Sequence, residues 1–256
     1  MDNGINNQLF LVCGATSGFG HAVAMSLLRA GAGIIAVARD EHKLKEMEKS
    51  GRVETIAGDI TMEATLPAII KKIGTRQLHG ALINAGGPPP KTAMEATPED
   101  WDMGYRQVLR WKVGLAQQLV KLMKPYGYGR MVFIESASVK QPMENMVLSN
   151  ALRLAVVGFV KTLSQEIASA GITVNVLAPG AHDTPAINRV YKKKAEQNDI
   201  SEQQAREQAI AQIPVGALGQ ADNFASLALW LLAPQAVYIT GQTISVDGGT
   251  IKGVFG

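Results

Sequence analysis

Residues 13–20 read Cys13-Gly14-Ala15-Thr16-Ser17-Gly18-Phe19-Gly20, with glycines spaced G-x-x-x-G-x-G. They follow a short apolar run, 9–12, and open a helical pattern. Glycines at such a junction allow a tight turn, let backbone N–H groups approach a diphosphate, and let helix pack close on strand. The helix's amino end adds the positive end of a dipole. Glycine turns also arise for purely conformational reasons, so position rather than count makes this loop informative. It is read as a dinucleotide site with Thr16, Ser17 and Phe19 between its glycines; the alternative is a structural turn. At the end of the next apolar run, 34–38, stands Arg39, with no acid before it. That strand end reads the adenosine ribose: an acid suits NAD, and an arginine accommodates the extra phosphate of NADP. NADP(H) is therefore expected, and Asp40, next along, leaves NAD(H) as the alternative.

These residues need a scaffold that brings strand ends together, and the order of elements supplies one. Apolar runs at 34–38, Val53–Ala57, 81–84, 131–135 and 172–177 alternate with helical patterns near 41–50, 62–73, 97–124 and up to 168. A strand every 20 to 30 residues with a helix between is the signature of parallel βαβ units. Continuously apolar strands fit a sheet covered on both faces. Thr97-Pro98-Glu99-Asp100 reads as a helix start, with a capping threonine, proline in the first turn and acids at the positive dipole end. The polar stretch 182–216 breaks the alternation and looks inserted over the carboxyl edge, with one helix inside. A helix over 222–232 and the strand Thr243–Val246 close the chain. The expectation is one doubly wound α/β Rossmann domain over 1–256, its parallel sheet about seven-stranded with helices on both faces.

Composition excludes other classes. The chain has 256 residues, 46% hydrophobic and 18% charged, enough for a large core and too apolar for disorder. A net charge of +3 with no basic run beyond Lys192-Lys193-Lys194 gives nucleic-acid binding no electrostatic footprint. The single cysteine, Cys13, excludes an intrachain disulfide and a multi-cysteine zinc site; it is read as buried and inert, and fits a reducing compartment. The four histidines lack metal-like spacing, so no metal is expected. The longest apolar stretches, 152–160 and 224–239, are broken by Arg153 and Pro234, so no membrane span is expected. The amino terminus lacks a basic region and cleavage pattern, and a cytoplasmic protein is expected.

Several motifs together resemble the short-chain dehydrogenase/reductase family. These are the Gly14, Gly18, Gly20 loop; Gly58-Asp59-Ile60; Asn84-Ala85-Gly86; Gly129-Arg130-Met131-Val132 into Ser136; Val174-Asn175 through Ala178-Pro179-Gly180; and Ile239-Thr240-Gly241-Gln242 leading to Val246-Asp247-Gly248-Gly249. The similarity runs along essentially the whole chain in order. It implies that Asp59 and Ile60 flank the adenine, and that Asn84, Ala85 and Gly86 line the ribose side. Pro179, Gly180 and Thr184 would hold the nicotinamide carboxamide. It also implies a homo-oligomer, a tetramer or dimer, packed through the helices near 98–124 and 145–168, and a substrate lid at 182–216. Each has a plainer reading beside it: Asn84 and Asp59 can satisfy turn backbone, and Pro179-Gly180 can be loop alone.

The family's catalytic serine, tyrosine and lysine, four residues apart in the last two, map onto Ser136, Ser149 and Arg153. Its helper asparagine falls on Val108. Serine's hydroxyl is a far poorer acid than tyrosine's, and arginine stays protonated and relays no proton. What survives is a cluster of donors, Ser136, Ser149 and the Arg153 guanidinium, able to stabilise an oxyanion. That suits hydride addition to a carbon–carbon double bond conjugated to a carbonyl, with the enolate held by Ser149 and Arg153 and carbon protonated later by water. It speaks against ketone reduction through a tyrosinate. The expected function is NADPH-dependent reduction of a small carbonyl or conjugated enone-type substrate. The lid and carboxyl terminus also look similar to a family member from dipeptide-antibiotic biosynthesis that reduces a conjugated alkene. The alternative is a catalytically silent NADP-binding regulatory or scaffold subunit. Lys140, His182, Tyr105, Tyr126 and Tyr128 are the other residues able to supply an acid, and each is read as surface or packing. The lid lysines 192–194, if they reach substrate, favour an anion such as a carboxylate.

Overall fold

The computed structural model describes residues 4–254, apart from the side chains of residues 186, 189, 193, 194 and 197. In chain order the elements are β1 (Leu9–Cys13), α1 (Gly18–Arg29), β2 (Gly33–Ala38), α2 (Glu41–Glu48), β3 (Val53–Ala57), α3 (Thr65–Ile73) and β4 (Gly80–Ile83). Then come α4 (Pro98–Gly104), α5 (Trp111–Met123), β5 (Gly129–Ile134), α6 (Val147–Ile167), β6 (Ile172–Pro179), β7 (His182–Asp183), α7 (Pro185–Asn198), α8 (Glu202–Ile210), β8 (Gly219–Gln220), α9 (Ala221–Leu232) and β9 (Thr243–Val246).

Seven strands form one parallel sheet in the order β3-β2-β1-β4-β5-β6-β9, the doubly wound Rossmann arrangement. The strands are continuously apolar because both faces are covered. Phe10 and Val12 join Ile34 and Ala36 in a core shared with α1, α2 and α9. Leu11 and Cys13 join Ile35 and Val37 in a second core with α3, α5 and α6. A side-chain period of two thus divides the central strands between two hydrophobic layers. From β1 the chain winds outward through β2 and β3, then crosses back to β4. The carboxyl ends of β1 and β4 therefore border the switch-point crevice where such sheets bind ligands.

Two expected features differ. The helix expected over 97–124 starts as its sequence demands, with a reciprocal capping box between Thr97 and Asp100, but a π-helical turn at Tyr105–Arg110 divides it. Wide turns of this kind collect at functional sites. The segment 182–216 holds two helices rather than one. Ser201 and Gln204 cap the second reciprocally, while Tyr191, Ala195, Ala205, Ile213 and Leu218 give the segment a small core of its own. Strands β7 and β8, which flank the segment, pair parallel with each other in a separate two-stranded sheet.

One helical stretch, Val147–Ala170, is long and apolar enough to cross a membrane by length and composition alone, with mean hydropathy 1.3. Here it is a core helix. Val156, Val160, Leu163 and Ile167 pack on the sheet, and Arg153 is buried in an ion cluster.

Candidate functional site

The loop between β1 and α1 takes backbone shapes that only glycine adopts without strain. Gly14 has φ +69° and Gly18 φ +51°, both left-handed. A Cβ on Gly20 would overlap the Gly14 carbonyl oxygen, so this glycine lets α1 close onto β1. A Cβ on Gly14 would lie 2.8 Å from Asn84 Nδ2, which brings the β4 end against the loop. Ser17 stands at the N-cap of α1 but makes no side-chain capping bond. The first-turn N–H groups therefore receive nothing from it, which is the arrangement that accepts an external anion. Thr184 lies above Gly18, whose Cβ would be 3.7 Å from that of Thr184. The structure thus gathers Gly14, Thr16, Ser17, Gly18, Phe19, Gly20 and Asn84-Ala85-Gly86 at the carboxyl edge, with Pro179 and Gly180 ending β6 and Thr184 following.

Arg39 follows β2 with 82% of its side chain exposed, and its Nη1 lies 3.9 Å from Asp59 Oδ2. An exposed pair at that distance is worth under about 1 kcal/mol, so a ligand phosphate can replace it. Asp59 also does the turn work named as its plainer role: Oδ1 accepts from Thr61 N at 2.9 Å and from Thr61 Oγ1 at 2.8 Å. Ile60 beside it packs against the second core.

Ser136 follows β5, and its Oγ accepts from Ser138 N at 3.2 Å. Ser149 and Arg153 sit one turn apart on α6, where residues four apart face one another. Arg153 Nε donates to Ser149 Oγ at 3.0 Å. Ser136 makes no direct hydrogen bond to either, so the expected trio is a bonded pair with a neighbour. The guanidinium has a stronger partner that the sequence reading missed. Arg153 Nη1 donates to Glu135 Oε2 at 3.0 Å, and Lys112 Nζ pairs with Glu135 Oε1. Side-chain exposure is 2% for Lys112, 0% for Glu135 and 10% for Arg153. Both missed residues carried a signal. Glu135 is a lone acid ending an apolar strand run, and Lys112 interrupts the buried stripe Val108, Leu115, Leu119 of its helix. A charge on such a face must find a partner.

Burial pulls the Lys112 ammonium below its ordinary value, Glu135 opposes this, and the Arg153 charge lowers it further. The thiol of Cys13, wholly buried beside them, is pushed up to about 12 by desolvation, against a backbone hydrogen bond from Asn84 and the Lys112 charge. It is neutral and unreactive at working pH.

Other acid–base candidates lie elsewhere. His182 is buried, its ring edge-on to Phe19 at 4.9 Å and to Phe224 at 5.8 Å, with Nδ1 3.1 Å from Gly180 O. Desolvation lowers its pKa, and it packs the lid base onto the glycine loop. Tyr105 is exposed on the π turn. Tyr126 Oη donates to Thr75 O at 2.8 Å, and Tyr128 lies under the Arg130 guanidinium, both before β5 at the opposite edge of the sheet. Lys192 is exposed, and the side chains of Lys193 and Lys194 lie outside the described residues.

A family model described as Enoyl-(Acyl carrier protein) reductase matches residues 14–250. Among curated proteins, the chain is 29% identical over 259 residues to the NADPH-dependent reductase BacG of Bacillus subtilis (strain 168), covering 98% of this chain and 100% of that one. It is 30% identical over 248 residues to the 3-oxoacyl-[acyl-carrier-protein] reductase FabG of Escherichia coli (strain K12), covering 94% and 96%. Among solved structures, YwfH, described as an NADPH dependent reductase involved in Bacilysin biosynthesis, superposes with TM-score 0.91 at 28% identity, over 97% of this chain and 100% of that one. L-Sorbose reductase from Gluconobacter frateurii, complexed with NADPH and L-sorbose, gives 0.92 at 28% identity, over 99% and 100%.

Proposed function

The chain belongs to the short-chain dehydrogenase/reductase family, and from that premise we propose that it is an NADPH-dependent reductase of a small carbonyl or conjugated enone-type substrate. The observation that carries this is the pairing of an uncapped, glycine-built helix start at β1 with a bonded Ser149–Arg153 donor pair at the same sheet edge. The residues fit the cofactor. Gly14, Thr16, Ser17, Gly18, Phe19 and Gly20 would hold the diphosphate, and Arg39 the additional phosphate. Asp59 and Ile60 would flank the adenine, Asn84, Ala85 and Gly86 the ribose, and Pro179, Gly180 and Thr184 the carboxamide. NADP(H) is favoured over NAD(H) because Arg39 is exposed and held only by a long pair with Asp59.

When bound, NADPH supplies the hydride. The protein's task is to take the negative charge that builds on the substrate's carbonyl oxygen. A hydroxyl has one proton and two acceptor sites. Ser149 Oγ accepts from Arg153 Nε, so its proton is left to donate, and the adjacent guanidinium strengthens that donation. Ser136 supplies a second hydroxyl at the end of β5. Donors fixed in place before the reaction cost no reorganisation, and one is worth about 3 kcal/mol. None of the three surrenders a proton, which fits a conjugated alkene whose carbon is protonated by water. In this reading Ser149 and Arg153 stand where the family pattern places tyrosine and lysine, and 182–216 closes over the substrate.

A rival reading is a nucleotide-binding subunit without turnover, favoured by the engagement of Arg153 with Glu135 beneath the crevice. Oxidation of NADPH with a panel of α,β-unsaturated carbonyls and simple ketones decides between them. Tight cofactor binding without turnover selects the rival. We further place the protein in the cytoplasm as a homo-oligomer. Met103, Tyr105 and Leu154, all exposed, support packing through α4, the π turn after it and α6.

A further inference from the structure

The ion cluster beneath the crevice does not balance. Lys112 from α5 and Arg153 from α6 bring two positive charges, and Glu135, just past the end of β5, brings one negative charge. Among the described residues no other acid pairs with either cation. The remaining titratable neighbour, Cys13 of β1, is neutral. An excess charge held away from water is costly, and a bound counter-charge relieves it. The cluster has an opening for one. Arg153 spends Nε on Ser149 and Nη1 on Glu135, while Nη2 makes no hydrogen bond among the described residues. Nη2 lies against a turn that carries no side chain. A Cβ on Gly87 would be 2.8 Å from it, and a Cβ on Gly86 would meet nothing within 4 Å. Both glycines are exposed at the crevice.

We propose that the substrate carries a carboxylate, which completes the Lys112–Glu135–Arg153 cluster by binding Arg153 Nη2. The word substrate rests on the reductase reading above; the anion site itself does not. A guanidinium anchored at two nitrogens presents its third in a fixed plane, the geometry that recognises a carboxylate. Ser149, bonded to the same guanidinium, then faces a reducible group a few bonds from that carboxylate. The substrate class is short acids bearing a ketone or conjugated enone close to the acid group. Lys112 and Glu135 are positioning residues: Glu135 fixes the guanidinium, and Lys112 supplies the unbalanced charge.

The test compares two probes differing only in charge, 4-oxopent-2-enoate and its methyl ester, titrated calorimetrically into the full chain loaded with NADP+ so that nothing turns over. The acid is expected to bind about tenfold or more tighter than the ester, the worth of one hydrogen bond to a charged group. In Lys112→Met, which neutralises the cluster, that preference should fall severalfold. Equal binding of acid and ester by the wild type overturns the proposal, as does failure of both to bind at millimolar concentration. The wild-type comparison decides even if the variant does not fold. Turnover with NADPH is read separately. An acid preference without turnover keeps the anion site and removes the reductase reading; equal binding with turnover does the reverse.

Discussion

Arg153 Nε lies 3.0 Å from Ser149 Oγ, one helical turn earlier on α6, and donates to it. On the reductase reading proposed above, the two side chains act as one device, in which the arginine orients the hydroxyl and the hydroxyl meets the substrate. Ser149→Ala and Arg153→Met should each lower kcat about a hundredfold, the loss expected for one preorganised donor. Because the pair is a unit, the double variant should be little worse than either single one. NADPH affinity should hold. Steady-state NADPH oxidation and a cofactor titration read the two effects apart; additive losses would separate the residues' roles.

Glu135 and Lys112 form one buried ion pair, yet their removal should cost different amounts. Glu135→Gln leaves two buried cations facing each other without an anion, the situation that costs about 3–5 kcal/mol. Lys112→Met leaves a neutral Glu135–Arg153 pair and an apolar side chain in an apolar stripe. Its loss should be clearly smaller. Denaturant unfolding of both variants measures this, and equal destabilisation would show that Lys112 carries as much of the cluster as Glu135.

Much of this architecture is legible in the order of residues alone. Strands β3 and β9 coincide with their apolar runs, and the capping box at Thr97 is written in its sequence. The loop glycines are readable because steric need for glycine is local: φ at Gly14 and Gly18 depends on a few neighbouring atoms. The π turn at Tyr105–Arg110 is not readable, since one widened turn leaves the apolar periodicity of the helix almost intact. The ion cluster fails for a different reason. Lys112, Glu135 and Arg153 come from three elements, so their meeting is a property of packing rather than of spacing. Two helices in 182–216 replace the one expected because polar, low-periodicity sequence hides the break at Asp199, where the chain turns left-handed.

Arg39 offers a direct test of cofactor choice. Its only ion-pair partner among the described residues is Asp59 at 3.9 Å, and most of the side chain is in solvent. Removing it costs the fold almost nothing. Arg39→Ala should leave unfolding unchanged and weaken NADPH about tenfold or more, the value of a hydrogen bond to a charged phosphate. NADH affinity should not change. Fluorescence titration with both coenzymes checks this; parallel weakening of the two would move Arg39 away from the extra phosphate.

His182 should weaken the fold on acidification, and the direction follows from where its ring is held. Buried edge-on against Phe19 and Phe224, the imidazole titrates below its ordinary value because the charged form loses solvation. The folded state then stays neutral while the unfolded chain, with a pKa of about 6.5, takes up a proton. Between those two values the unfolded state binds more protons, so stability falls as pH falls. His79, half-buried at the other edge, shifts in the same direction for the same reason. Thermal unfolding between about pH 7.5 and 5 should therefore show a midpoint that drops on acidification. His182→Asn should start lower at neutral pH, having lost its ring contacts, but decline less steeply; His79→Asn should remove the other share. An unchanged slope in the His182 variant would mean that the ring takes up its proton equally readily in the folded and the unfolded state.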